Sequence, residues 1–113
     1  MDDDTERQWL TLPDVAERLG VSPGRVRRLL EERHLVATRV SGVLRVPSDF
    51  LDGDAPLPDL RGTIIVLVDN GFTDEEAVRW LLSEESSLAA TPVSAIRAGR
   101  KAEVRRVAQA LAF

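Results

Sequence analysis

Three arginines within four positions, Arg25, Arg27 and Arg28, follow Ser22-Pro23-Gly24, and this cluster carries the clearest chemistry in the 113-residue chain. A guanidinium presents a rigid planar fork of N–H donors that matches a guanine edge or the oxygens of a phosphate. Ser22 and Gly24 add little bulk, so the start of this segment can come close to a phosphate or a base edge. Arg39 and Arg45 lie downstream, on either side of Ser41-Gly42. Ser22, Gly24, Arg25, Arg27, Arg28, Arg39 and Arg45 are therefore the candidate DNA-binding residues. Arg25 and Arg28 are expected at or near base edges and Arg27 on phosphate. Arg39 and Arg45 are expected on the flanking backbone or in the minor groove. The competing reading is an ordinary helical hairpin whose arginines form a solvated face.

A net charge of −4 opposes a nucleic-acid partner until it is divided by region. Between Arg18 and Val46, seven arginines face only Glu31 and Glu32, a local excess of five positive charges. Four of the first six residues are acidic, and Asp49 to Asp59 holds four more acids with no base. A phosphate backbone responds to the local patch, not to the total. Arginine outnumbers lysine fourteen to one, which codon usage in a G+C-rich genome explains as readily as function does.

Other chemistries find no residues to carry them. The absence of cysteine excludes a disulfide framework, thiolate zinc sites and cysteine nucleophiles. A single histidine, His34, argues against a histidine metal site or catalytic dyad. No nucleophile–base pair, metal cluster or phosphate loop can be assembled, so neither an enzyme nor a cofactor is expected. The longest apolar run, Ile64 to Val68, is too short to span a membrane, and the acidic N-terminus does not resemble a signal peptide. The expected location is cytoplasmic and nucleoid-associated. Thr5, beside three aspartates, is a candidate phosphosite, with an unmodified tail threonine as the favoured alternative.

The elements that must position the arginines follow from periodicity and capping. Residues 1–8 are acidic and aperiodic and are expected to form a disordered tail. Thr11 with Asp14 is a capping-box variant opening a helix whose inward stripe is Leu12, Val15, Ala16 and Leu19. Gly20 is placed to end that helix in the left-handed conformation, with Val21 plugging the turn. Ser22 caps a second helix over 23–32, with Pro23 at its first position and Val26, Leu29 and Leu30 inward. Residues 35–46 read as a hairpin around Ser41-Gly42, with Leu35, Ala37, Leu44 and Val46 on one face and Thr38 and Arg45 on the other. Arg39 has inward parity but lies near the tip. Ser48 is expected to start a short helical turn that returns Phe50 and Leu51 to the core.

Asp52 to Pro58, with its acids, glycine and prolines, is the expected linker between a domain at 9–51 and a helical one at 59–113. Within 60–69, β-branched residues favour a strand, yet Leu60, Ile64, Leu67 and Val68 also fit a helix closed by Asn70-Gly71. Helix is preferred, because no plausible partner strand follows. Thr73 with Glu76 caps a further helix, in which Trp80 is expected to be a core residue. Thr91-Pro92 starts another helix, stopped by Gly99. A final helix puts Val104, Val107, Ala108 and Leu111 on one side and Arg105 and Arg106 on the other. Arg97, Arg100, Lys101, Arg105 and Arg106 form a second basic cluster, read first as a solvated face.

Leu12-Pro13-Asp14-Val15-Ala16, then Leu19-Gly20-Val21-Ser22 and a hairpin, resembles the excisionase and MerR-type winged helix-turn-helix family over residues 9 to 51. The resemblance implies that the second helix enters the major groove of DNA with the wing alongside. The long coiled coil and effector domain of a full MerR regulator are not expected from these 113 residues. Taken whole, the chain looks like small actinobacterial DNA-binding proteins that join such a domain to a compact helical one. Glu75 to Leu82 (EEAVRWLL) and Pro92 to Ala112 (PVSAIRAGRKAEVRRVAQALA) carry that match. Arg79, Trp80, Leu81 and Pro92 also give a looser similarity to toxin-binding domains of antitoxins.

The expected fold class is therefore mainly α with a small β-hairpin wing. The expected function is duplex DNA binding by a transcriptional regulator that dimerises on its site. The alternative is a protein-interaction module, antitoxin-like or an adaptor, that binds a protein partner through the C-terminal domain.

Overall fold

The computed structural model describes residues 7–111, and the chain divides into two compact units between Leu57 and Pro58. Thr5 and the acidic residues before Arg7 lie outside the described residues.

The first unit runs β1 (Trp9–Thr11), α1 (Leu12–Leu19), α2 (Pro23–Glu31), β2 (Thr38–Val40), β3 (Val43–Pro47), a 3-10 turn (Ser48–Phe50), β4 (Leu51–Asp52) and β5 (Ala55–Pro56). Both helix starts follow the side-chain chemistry. Thr11 and Asp14 exchange side-chain-to-backbone bonds of 3.2 and 3.1 Å, a reciprocal capping box that satisfies two otherwise orphaned N–H groups. Gly20 closes α1 at φ 68°, a conformation that costs a side chain bearing Cβ and suits glycine. The core gathers Val15, Val26, Leu35, Val46 and Phe50, all almost fully buried.

Three expectations in this unit are corrected. Arg7 and Gln8 are not part of a free tail. The Arg7 Nε donates to Asp49 at 2.8 Å, and the backbone of Gln8 is bonded both to the backbone N–H and to the Oγ of Ser48. That anchorage sets up β1, which pairs antiparallel with β3 and makes the wing a three-stranded sheet of order β1-β3-β2. The hairpin turn falls at Ser41-Gly42 with Val40 opposite Val43, but its strands are shorter than 35–46. Leu35, Val36 and Ala37 are buried irregular chain instead. Finally, 52–58 is not an open linker. It turns at Gly53 (φ 63°) into the β4–β5 hairpin, and the Leu57 N–H returns to the Phe50 carbonyl at 2.8 Å.

The second unit comprises α3 (Leu60–Asp69), α4 (Asp74–Leu82), α5 (Pro92–Arg97) and α6 (Lys101–Ala110). The stretch with β-branched residues is helical because Leu60, Ile64 and Leu67, at i, i+4 and i+7, bury one face completely, and packing overrides weak intrinsic propensity. Thr73 and Glu76 form the second reciprocal capping box. The Asn70 side-chain amide donates to the carbonyls of Ala108 at 3.0 Å, which also takes the Leu111 N–H, and of Leu111 at 2.7 Å, so it closes the end of α6. Trp80 is half-buried, while Ala77, Val78 and Leu81 carry the buried face of α4.

Candidate nucleic-acid interface

The bend between α1 and α2 begins at Gly20, whose left-handed backbone returns the Val21 N–H to the Ala16 carbonyl at 3.0 Å. Ser22 then caps α2, its Oγ accepting the Arg25 N–H at 3.1 Å. This modifies the expected open helix start. Pro23 has no N–H and that of Arg25 is taken by the cap, so among the first three residues only Gly24 keeps an N–H outside it.

Val26 and Leu29 are buried on the inner face of α2, whereas Pro23, Gly24, Arg25, Arg27 and Arg28 are exposed. Among the described residues, none of these three guanidinium groups has a hydrogen-bond or ion-pair partner. Three like charges crowded on about one helical turn repel each other, and an external polyanion would relieve that repulsion. Gly24 has an ordinary helical backbone, and a Cβ built on it would meet only the Ser22 Oγ, 3.9 Å away. Neither backbone conformation nor internal packing calls for glycine there.

The wing arginines differ from each other. Arg39 is exposed near the tip, with Nη1 donating to the Gly42 carbonyl at 3.3 Å across the turn. Ser41 and Gly42 both have positive φ, 53° and 80°, as a tight two-residue hairpin turn demands. Val43 beside them is a large apolar residue left exposed. Arg45 is half-buried, and its Nη1 donates to the Trp9 carbonyl at 3.1 Å. It is thus partly committed to holding β1, a use invisible without that strand. Trp9 leaves no signal in the local pattern, because a three-residue strand directly before a helix cap has no periodicity to detect.

Arg18 donates from Nε to the Gly53 carbonyl at 3.0 Å, and the His34 Nε2 lies 3.9 Å from Glu32, so both belong to element ends. Arg33 sits just past α2 at φ 67°.

The second basic cluster is mostly engaged. Arg100 donates to Glu103 and to the Leu88 carbonyl, and Lys101 pairs with Asp59 at 3.1 Å. Hydrogen bonding with Arg100, then its charge, holds the Glu103 carboxyl below the usual carboxylate range, and the same contacts raise Arg100. Arg105 does not lie on the solvent side as expected, but is half-buried with its guanidinium against Gly62 of α3.

Two domain models of a single family match the chain. The winged helix-turn-helix domain of DNA-binding protein Rv2175c matches residues 2–51, and the Rv2175c C-terminal domain of unknown function matches residues 57–112. The chain belongs to the Rv2175c family. It is 36% identical over 123 aligned residues to DNA-binding protein Rv2175c of Mycobacterium tuberculosis, covering 97% of this chain and 84% of that one. It is similar to the NMR structure of Rv2175c with a TM-score of 0.85 and 36% identity, over 100% of this chain and 85% of that one. The Rv2175c likeness thus extends through both units, and the fold is mainly α with a β wing.

Proposed function

We propose that this member of the Rv2175c family binds duplex DNA, with α2 in the major groove and the β2–β3 wing on the flanking backbone or minor groove. The observation that carries the reading is the outward face of α2, where Arg25, Arg27 and Arg28 are exposed without partners while Val26 and Leu29 lock the inner face. The name of the mycobacterial relative, a DNA-binding protein, supports the same ligand. In this proposal Arg25 and Arg28 reach base edges and Arg27 grips phosphate. Ser22 and Gly24 permit close approach. Arg39 contacts the flanking strand, and Arg45 adds charge there while bracing β1.

The biological role proposed is transcriptional regulation, in the manner of excisionase and MerR-type domains, with the protein associated with the nucleoid. A single domain of this size reading one half-site binds weakly, so dimerisation on DNA completes the proposal. Selection of bound duplexes from a random pool tests it. Enrichment of a common motif is expected, and recovery of unbiased sequence or of no DNA at low salt defeats the sequence-reading claim.

A further inference from the structure

Gly62 lies inside α3, where glycine weakens a helix relative to alanine, and its backbone does not require it. What lies over this bare stretch of helix is the guanidinium of Arg105 on α6. A Cβ on residue 62 would fall within the Arg105 guanidinium, 2.6 Å from Cζ and 2.7 Å from Nε. The Arg105 Nε is itself buried and has no hydrogen-bond partner. An apolar side chain would fill the same space without burying an unpaired donor, so the guanidinium sits there at some cost to stability. Clamping the guanidinium against a bare stretch of helix fixes its orientation before any ligand arrives, which lowers the ordering cost of binding. The surroundings select the ligand's sign. Arg61 precedes Gly62, Lys101 stands one turn before Arg105 on α6, and Arg106 follows it, all exposed. Of the acids on these two helices, Asp59 is taken by Lys101 and Glu103 by Arg100, and Asp69 stands at the far end of α3, while Asp74, Glu75 and Glu76 open α4 and Glu84 and Glu85 follow it.

We infer that Arg105, cradled by Gly62, is a phosphate-binding residue through which the C-terminal unit grips the backbone of duplex DNA. This rests on the DNA-binding reading of the chain and extends it to a unit whose family model states no function. One lost phosphate contact lowers the steepness of log affinity against log salt by about 0.9, which near 0.15 M salt is about a fivefold loss of affinity.

The test is fluorescence anisotropy of the full chain on a labelled mixed-sequence duplex across a salt series. Arg105→Gln and Gly62→Ala are compared with Arg79→Gln, which removes the same charge as Arg105→Gln from a different helix of the same unit. Thermal unfolding checks that each variant is folded. Expected are a shallower salt slope and about fivefold weaker binding for Arg105→Gln, a similar loss for Gly62→Ala, which keeps the charge but displaces it, and little change for Arg79→Gln. If Gly62→Ala is unfolded, the contrast between Arg105→Gln and Arg79→Gln decides. Equal losses for those two, or wild-type binding by Arg105→Gln, overturn the inference while leaving the winged domain's role intact. Absence of binding by the wild type at low salt removes the DNA-binding reading and this contact together.

Discussion

The two units use arginine in opposite ways. On α2, Arg25, Arg27 and Arg28 stand exposed and unpartnered among the described residues, and the helix carrying them is fixed by Val26 and Leu29 beneath. In the C-terminal unit, Arg100 is tied to Glu103 and Leu88 and Lys101 to Asp59, and Arg105, laid against Gly62 with its Nε unpartnered, stands apart from them. Counting charges therefore does not locate a binding face. What separates the two clusters is whether a cation's donors are already used inside the fold, because only unused donors remain for an external polyanion.

The contrast can be broken or sharpened by substitution. Phe50→Ala removes a fully buried ring from the first unit and should cost about 3–5 kcal/mol, abolishing duplex binding by unfolding the domain, as thermal denaturation would show. Preserved stability would mean that the core is wrongly placed. Asn70→Ala strips two bonds from the end of α6 and should destabilise the second unit by about 1–3 kcal/mol in urea titration. Gly24→Ala should do the reverse of a core lesion. The helix gains up to about 1 kcal/mol because the site has room for a methyl group, while duplex affinity falls if DNA approaches there. Unchanged affinity would remove Gly24 from the interface.

The smallest effect is the pH dependence of the Arg100–Glu103 pair. Because Arg100 depresses the Glu103 carboxyl in the folded chain, its stabilising effect is complete above the ordinary carboxylate pKa and fades as pH falls through the lower folded value. Thermal melts of wild type and Glu103→Gln should therefore converge in acid and separate slightly near neutrality. Both side chains are partly open to solvent, so the gap stays small.

Much of this is legible in the sequence. Thr11 with Asp14, Ser22 and Thr73 with Glu76 each cap the helix they announce, since capping is a matter of a few adjacent residues. The exposed α2 arginines follow from helical spacing, as does the helical state of Leu60–Asp69. The remainder depended on contacts distant in sequence. The strand at Trp9 exists through pairing with β3, across more than thirty residues. The β4–β5 hairpin hides in what reads as a linker, because Gly and Pro mark a tight turn and a linker alike. Arg105 escapes detection because its position on α6 predicts solvent, while the glycine that draws it inward lies on another helix.

Binding of duplex DNA by the free arginines of α2 is tested most directly by one comparison. Arg25→Ala combined with Arg28→Ala is titrated against wild type on a selected duplex, with thermal unfolding measured in parallel. Two lost contacts at about 1–3 kcal/mol each imply at least about a thirtyfold loss of affinity. The melting temperature should stay nearly unchanged, because neither side chain has an internal partner. Undiminished affinity in the folded double variant would contradict the account.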